Sequence, residues 1–163
     1  MTGLRSKPIR FARVDQIEGD VWTVPGENMK ARVGQEQDFR VPLTEEALRI
    51  IELAKPHARD GFLFPSVRKG VISDATMARL MERKGLKARP HGFRTSLRTW
   101  LAERTDAPHE VAEAMLAHVA DSKVVRTYRQ TDFLDQRRSF LERWSRVCCG
   151  LEADVIEIGG VDE

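Results

Sequence analysis

The residues of this chain that are best suited to chemistry lie in two short segments of its second half. In the first, His91-Gly92-Phe93-Arg94, the histidine and the arginine are three positions apart, so a helix would place both side chains on one face. A histidine titrates near neutral pH and an arginine stays charged, so the pair could move a proton and hold an anion together. Alone, this spacing is common on protein surfaces and indicates function only weakly.

The second segment runs from Leu116-Ala117-His118 to Tyr128, ten residues after the histidine. Tyr128 is the only tyrosine of the chain, and it lies between Arg126 and Arg129 in a polar link between two apolar helical patterns. A lone tyrosine in such a place more often covers the edge of a core than takes part in chemistry. This segment therefore needs support from the rest of the sequence.

Two cationic residues nearer the N-terminus could join these segments. Arg5 ends the stretch Thr2-Gly3-Leu4-Arg5, in which Gly3 permits a tight bend. Lys30 lies in a long polar link between two predicted strands, and such a loop could carry a lysine over a site built by helices. The simpler interpretation of each residue, taken alone, is an ordinary solvated side chain.

The pattern of apolar residues predicts the elements that must position these side chains. β-branched and aromatic residues indicate short strands at 20–24 and 38–42, joined by the polar link 25–37. Helices are predicted from the cap Thr44 onwards, at about 74–85, 91–104 and 106–119, and at 133–147. The fold class is therefore α+β, mainly α-helical with a small antiparallel β-sheet or hairpin near the N-terminus.

Helical spacing also predicts which side of each helix is buried. In the helix at 91–104 the apolar stripe consists of Phe93, Leu97, Trp100 and Leu101, and the next helix buries a stripe that ends at Val119. The last helix is predicted to bury Leu134, Phe140, Leu141, Trp144 and Val147.

Charge is distributed unevenly over the 163 residues, although the formal net charge is only +2. Residues 151–163 hold five of the 25 acidic residues and none of the 27 basic ones, so residues 1–150 carry a formal charge of +7. Arginine outnumbers lysine 20 to 7, and its planar fork suits bidentate contacts with phosphate. A basic, arginine-rich body suits a polyanion partner, although a well-solvated surface is the simpler interpretation of charge alone.

Length and cysteine content exclude several classes of protein. The chain is long enough for one domain with a real core, and no apolar run approaches the length of a membrane span. Its only cysteines, Cys148 and Cys149, are adjacent and cannot join distant segments, so no disulfide framework is expected. With no signal-peptide pattern at the N-terminus, we expect a reducing, cytoplasmic setting.

In chain order, these segments resemble the signature of the tyrosine recombinase family, which is Arg, Lys, His-x-x-Arg, His or Trp, and Tyr. The chain reads TGLR at 2–5, Lys30 in a hairpin, HGFR at 91–94, LAH at 116–118 and then Tyr128. The stretch 91–148 is similar to prophage-type integrases, with their AEAMLAH, TYR and RRSFLERW segments, and 22–43 is similar to their β-hairpin. The resemblance covers residues 2 to about 148.

The resemblance implies the fold of a tyrosine recombinase catalytic domain and site-specific DNA recombination, in prophage integration or excision. In this family a tyrosine hydroxyl attacks a phosphate of double-stranded DNA, which forms a 3′-phosphotyrosyl bond and frees a 5′-hydroxyl. Cationic side chains do the work of a metal there, so no metal and no cofactor are expected. The implied catalytic residues are Arg5, Lys30, His91, Arg94, His118 and Tyr128.

Each of the other five residues has an implied role beside the nucleophile Tyr128. Arg5 and Arg94 would hold the non-bridging phosphate oxygens, and His118 would donate a hydrogen bond to the phosphate. Lys30 would protonate the leaving 5′-oxygen, and His91 would assist removal of the tyrosine proton.

The chain departs from the family pattern in two places. Pro8 stands where relatives carry an acid three residues after the first arginine, and Ala117 stands where many carry glycine. The arm-binding and core-binding domains that usually precede this region are also missing. We therefore expect residues 1–148 to be an N-terminally truncated catalytic domain and residues 149–163 to be an acidic tail.

Three alternatives remain open at this point. The first is a truncated integrase remnant that binds DNA but cannot recombine it, and the second is a helical DNA-binding module without catalytic ancestry. The third is a metal site, although the spacing matches no standard ligand motif; it would use His91, His109, Glu110 and His118. As a recombinase, the full-length protein is expected to bind DNA attachment sites as a synaptic tetramer near the bacterial nucleoid, with no membrane partner.

Overall fold

The computed structural model describes residues 1–30, 34, 36–117 and 132–151. Five residues named above, His118, Val119, Arg126, Tyr128 and Arg129, lie outside the described residues. Within the described ranges the fold combines a three-stranded antiparallel sheet with six α-helices. This confirms the predicted α+β class, mainly α-helical with a small antiparallel sheet near the N-terminus.

The sheet is formed by β1 (Ile17–Glu18), β2 (Val21–Val24) and β3 (Phe39–Pro42), in the order β1-β2-β3. Both predicted strands are confirmed within a residue at their N-terminal ends. Along β2, alternate side chains face opposite sides, so Trp22 and Val24 are buried while Thr23 is not. Trp22 pairs with Val41 of β3. The two-residue strand β1 is too short for its alternation to be recognised in the sequence.

The loop between β2 and β3 is held closed at its base. The Gly26 N–H donates to Asp38 Oδ1 at 2.9 Å, at the two ends of the loop. A Cβ on Gly26 would lie 2.6 Å from the Gln37 backbone nitrogen, so only glycine fits there without a shift of the backbone. Residues Gly26–Asn28 form a 3₁₀ turn, and the Asn28 side chain is buried. Lys30 lies two residues after this turn.

The first turn of α2 is capped as the sequence predicted. The side-chain oxygen of Thr44 accepts from the Ala47 N–H at 3.3 Å, which satisfies one of the free donors at the helix start. None of the helices in the described ranges combines the length and the apolar character needed to cross a membrane. The helices are α1 (Ser6–Arg10), α2 (Glu45–Ala54), α3 (Ala75–Arg83), α4 (Gly92–Arg104), α5 (His109–Met115) and α6 (Leu134–Cys148).

The buried apolar side chains form two clusters, one around the sheet and one between the helices. The sheet core consists of Leu4, Ala12, Trp22, Val24, Val41, Leu43, Ala47, Ile51 and Leu63. The helix core consists of Leu97, Trp100, Leu101, Val111, Ala112, Met115, Leu116 and Leu141. Because α4, α5 and α6 share the helix core, burial of apolar surface fixes the orientation of α4, the helix that contains the HGFR segment.

The predicted buried stripe of α4 is wrong at its first position. Phe93 is 58% exposed, whereas Leu97 and Leu101 are fully buried as expected. Arg94 occupies the inward position instead and is 6% exposed. Positions 94, 97 and 101 lie on one helical face, so a charged residue takes the place in the stripe that the sequence pattern assigned to an aromatic one.

The buried face of α6 also differs from the prediction. Leu141 is fully buried, but Leu134, Phe140, Trp144 and Val147 are only half-buried. The other buried side chains of α6 are polar: Arg137 is 1% exposed and Ser145 is 6% exposed. No sequence pattern indicated that Arg137 is the most deeply buried charged residue in the described ranges.

Candidate active site

Arg94 is held from two sides by backbone carbonyls. Its Nη2 donates to the Leu116 carbonyl at 2.8 Å, and its Nη1 donates to the Gly3 carbonyl. These two acceptors come from the N-terminal segment and from the end of α5, so the arginine joins three parts of the chain. Two fixed hydrogen bonds and deep burial leave the guanidinium little freedom to change its position.

Close packing at Gly3 makes this arrangement possible. Gly3 has a φ of +66°, which is strained for any residue with a side chain. A Cβ there would lie 2.8 Å from Leu97 Cδ2 and 3.0 Å from the Met115 carbonyl oxygen. The N-terminal segment can therefore lie directly against α4 and α5 only because this residue is glycine. Arg5, two residues further on, is brought to the same place.

A pocket of about 330 Å³ opens beside Arg94. Three of the predicted site residues line it, and each comes from a different part of the chain: Arg5 precedes α1, Lys30 lies in the β2–β3 loop, and Arg94 lies on α4. The full lining is Leu4, Arg5, Lys7, Pro8, Asn28, Met29, Lys30, Arg94 and Ala117.

The β2–β3 loop is attached to the rim of this pocket by a hydrogen bond that the sequence did not reveal. Lys7 of α1 extends its ammonium group to the Glu27 carbonyl at 2.6 Å. Glu27 lies three residues before Lys30, so this contact helps to hold the loop beside the segment that carries Arg5. The loop position is thus set both by its closed base and by α1.

The electrostatics of the pocket favour an anion. Burial, and after it the positive charge of Arg5, lower the pKa of Arg94 to about 10. Arg94 remains a cation at neutral pH, but its charged form is held in an unfavourable environment. A bound anion would offset both causes, because it supplies the opposite charge and the hydrogen-bond acceptors that burial removes. The pocket is therefore suited to a phosphate group.

The structure brings together only some of the six predicted site residues. His91 is exposed at the start of α4 and is not among the residues that line the pocket. His118 and Tyr128 lie outside the described residues, although Ala117, the neighbour of His118 in the sequence, lines the pocket.

Three pocket residues were not singled out as functional by their sequence context. Asn28 is buried, Lys7 holds the loop, and Pro8 is buried at the position where the family pattern has an acid. Pro8 therefore contributes an apolar wall near Arg5 in place of a carboxylate. The polar loop composition around Asn28 was the only available signal for that residue.

No group of three or more histidine, cysteine or carboxylate side chains in the described part of the chain could hold a metal ion. The metal alternative requires His118, which lies outside that part. A second pocket of about 330 Å³ is lined mainly by apolar side chains, among them Trp22, Leu43 and Ile51, and it offers no charged group for catalysis.

Residues 1–134 match the phage integrase family. The chain is 36% identical to the prophage integrase IntA of Escherichia coli (strain K12) over 141 residues, which are 82% of this chain and 33% of IntA. It is 32% identical to the prophage integrase IntZ of the same strain over 154 residues, 89% of this chain and 36% of IntZ. The chain thus spans about a third of the length of these relatives.

Two solved structures share the fold. The XerA recombinase superposes with a TM-score of 0.55 at 19% identity, over 91% of this chain and 54% of XerA. The Tn1549 transposon integrase, solved in complex with circular intermediate DNA, gives a TM-score of 0.58 at 18% identity, over 88% of this chain and 56% of that one. The predicted tyrosine recombinase fold is thereby confirmed.

Proposed function

Because the chain belongs to the phage integrase family, we propose that it is the catalytic domain of a site-specific recombinase that cleaves and rejoins DNA through Tyr128. The observation that carries this proposal is the convergence of Arg5, Lys30 and Arg94 on one pocket, from three separate parts of the chain. Three cations around a cavity of this size suit one DNA phosphate better than they suit a neutral substrate.

In the proposed reaction the Tyr128 hydroxyl oxygen attacks phosphorus and the bond from phosphorus to the 5′-oxygen breaks. Arg5 and Arg94 hold the non-bridging oxygens, where negative charge grows in the transition state. The tyrosine proton leaves with the help of His91, and Lys30 gives a proton to the 5′-oxygen. The products are a 3′-phosphotyrosyl bond and a free 5′-hydroxyl, and the reverse attack rejoins the strand.

The cations also explain how a tyrosine can act as a nucleophile near neutral pH. An unperturbed tyrosine has a pKa of about 10, so little phenolate is present at pH 7. Positive charge beside the hydroxyl favours the phenolate and lowers that barrier. His118 would complete the phosphate contacts by donating a hydrogen bond. No metal or cofactor enters this scheme.

The wider assignment extends the same proposal to partners and domains. We place the catalytic domain at residues 1–148 and an acidic tail at 149–163. The DNA partner would be a double-stranded attachment site, and a protein that contains this domain would assemble as a tetramer on two duplexes in the cytoplasm. Support for the DNA partner comes from the basic, arginine-rich residues 1–150, which carry a formal charge of +7.

The test is covalent trapping on nicked suicide DNA built from the sequences that flank the gene. The chain should form an adduct that survives denaturing electrophoresis, and Tyr128→Phe should abolish the adduct while DNA affinity is unchanged. Tyr128 is the only tyrosine, so no other phenol can replace it. DNA binding without any adduct would contradict the enzyme and favour the binding-only remnant. Pro8→Glu would then test whether the missing acid is the cause.

A further inference from the structure

Asp132, immediately before α6, makes three polar contacts with two different parts of the fold. Its Oδ2 lies 2.9 Å from Arg40 Nε of β3 and 3.4 Å from Arg137 Nη2 of α6. Its Oδ1 accepts from the Leu134 N–H at 3.2 Å. One carboxylate therefore joins a strand to the first turn of the last helix. We call Arg40, Asp132 and Arg137 the Asp132 cluster.

Arg137 attaches this cluster to the sheet a second time. Its side chain is 1% exposed, and its guanidinium lies over the Phe39 ring with 4.6 Å between Cζ and the ring centroid. Phe39 and Arg40 are consecutive residues of β3, so the strand contacts the cluster through an aromatic face and an ion pair. Within the cluster Arg137 is buried, Asp132 is partly exposed and Arg40 is the most exposed.

The backbone at this junction is itself in an unusual conformation. Phe133 has a φ of 56°, a left-handed conformation that costs free energy for a bulky residue. The hydrogen bond from Leu134 to Asp132 spans this residue. Such conformations persist where the surrounding structure fixes them, and they concentrate at functional sites. The course of the chain into α6 is thus set by several independent contacts.

We infer that Asp132 is a positioning residue for Tyr128, an inference that rests on the proposed function. Tyr128 precedes Asp132 by four residues, so at most about 14 Å of extended chain separates their Cα atoms. β3 directly follows the loop that carries Lys30. By joining Asp132 to β3 and α6, the Asp132 cluster fixes the C-terminal end of the segment that carries Tyr128.

Asp132→Asn is the appropriate variant because it changes the charge and preserves the shape. Asparagine retains an Oδ1 that can accept from the Leu134 N–H, so this hydrogen bond at the start of α6 is kept. It loses the negative charge that holds Arg40 and Arg137. Arg40→Gln provides a second variant that folds safely, since the Arg40 side chain is 54% exposed and its loss empties no buried space.

Asp20→Asn is a matched control, because Asp20 is a carboxylate whose partner lies on the same helix, α6. Asp20 pairs with Arg138 at 2.6 Å, next to Arg137 on α6, and it joins that helix to the turn between β1 and β2. The Asp20→Asn substitution therefore removes one carboxylate between the sheet and α6 and leaves the residues that follow Tyr128 unchanged. A general loosening of α6 would affect both variants, whereas positioning of Tyr128 would affect only the Asp132 variant.

The single tyrosine allows a readout that does not depend on catalysis. A chain labelled with ¹³C only at the tyrosine ζ carbon gives one labelled resonance, that of Tyr128. We expect Asp132→Asn to shift or broaden this resonance, Arg40→Gln to do so to a smaller extent, and Asp132→Glu to restore it in part. Asp20→Asn should leave it unchanged. An unchanged resonance in both Asp132→Asn and Arg40→Gln overturns the inference.

Kinetics separate this inference from the proposed function. At saturating suicide DNA, Asp132→Asn should lower the single-turnover rate of adduct formation about tenfold or more with unchanged DNA affinity, because small displacements of a nucleophile are costly. Asp20→Asn should react at the wild-type rate. If the wild-type chain forms no adduct but the resonance still responds to Asp132→Asn alone, the proposed function fails and the positioning inference stands. An equal loss of rate in Asp132→Asn and Asp20→Asn contradicts the positioning inference.

Discussion

Two arginines are deeply buried in the part of the fold that the structure describes, and their surroundings differ in kind. Arg94 of α4 is 6% exposed, donates to two backbone carbonyls and lies at the edge of a pocket with Arg5. Arg137 of α6 is 1% exposed, pairs with the Asp132 carboxylate and lies over the Phe39 ring. A carbonyl orients a guanidinium without neutralising it, whereas a carboxylate does both.

The difference shows how one side chain serves two purposes. At Arg94 burial, and after it the positive charge of Arg5, lower the pKa to about 10, so the charged form is disfavoured there. At Arg137 the guanidinium lies 3.4 Å from a carboxylate that it shares with Arg40, and the side chain packs between α6 and β3. We therefore expect substitutions at Arg94 to affect catalysis more than stability, and substitutions at Arg137 to do the reverse.

The largest expected effect is on DNA cleavage. Arg94→Gln should lower the single-turnover rate of adduct formation by about 100-fold to 1,000-fold, the usual cost of removing one donor that stabilises transition-state charge. Arg98→Gln is the matched control, one turn further along α4, where Arg98 pairs with Glu113 at 3.1 Å. Its rate should stay within about twofold of wild type, because Arg98 does not line the pocket beside Arg94. Equal losses in the two variants would mean that α4 as a whole is damaged.

The next effect is on stability. Arg137→Ala should lower the free energy of unfolding by about 3 kcal/mol, since it empties a buried site and breaks an ion pair with one buried partner. Arg94→Ala should cost clearly less, because removing that guanidinium also removes its desolvation and its repulsion with Arg5. Urea denaturation of both variants measures the two values. A larger loss of unfolding free energy in Arg94→Ala than in Arg137→Ala would show that Arg94 is the more important of the two for stability.

A smaller effect is expected at the glycine whose carbonyl holds Arg94. Gly3→Ala should lower the free energy of unfolding by about 1–3 kcal/mol, because it adds both a strained φ and a clash. Gly19→Ala is the control, since Gly19 has a φ of +56° and nothing within 4 Å of its added Cβ. The difference between the two losses in unfolding free energy gives the cost of the clash of the added Cβ with α4 and α5. Equal costs would show that the contact between Gly3 and α4 is loose.

The smallest effect concerns anions in place of DNA. Sulfate should raise the midpoint of thermal unfolding by a few degrees at pH 7, since it binds the folded pocket and offsets the repulsion between Arg5 and Arg94. Arg5→Gln should lose most of this gain, and Arg49→Gln, at an exposed pair with Glu46, should retain it. The charge on Arg94 is present below its pKa and is lost as the pH rises through about 10, so the gain should shrink there. A gain that is constant across this range would place the sulfate elsewhere.

Much of the fold could be predicted because local patterns agree with it. The capped start of α2 at Thr44, both longer strands and the helix at 91–104 follow from caps, alternation and helical spacing. The prediction at Phe93 was wrong for a physical reason. The candidate site has a charged residue, Arg94, at a buried position of α4. A helical pattern based on apolar residues assigned that buried position to the neighbouring Phe93.

The Asp132 cluster could not be predicted, because its members meet only in three dimensions. Arg40 and Asp132 are 92 positions apart, and no local pattern relates them. Arg137 lies in a helix rich in arginine, where a solvated position is the usual outcome. The pocket was more accessible to sequence reasoning, since family resemblance named Arg5, Lys30 and Arg94 without any knowledge of distance. The pocket brings Arg5, Lys30 and Arg94 together, but the catalytic roles of all six residues stay predictions.

The closed base of the β2–β3 loop has a consequence for how this domain can vary. Because Gly26 and Asp38 fasten the two ends to each other, the residues between them can change in number and type without altering the register of β2 and β3. We therefore expect that the whole loop can be exchanged between related proteins, provided that the glycine, the aspartate and the lysine are all kept.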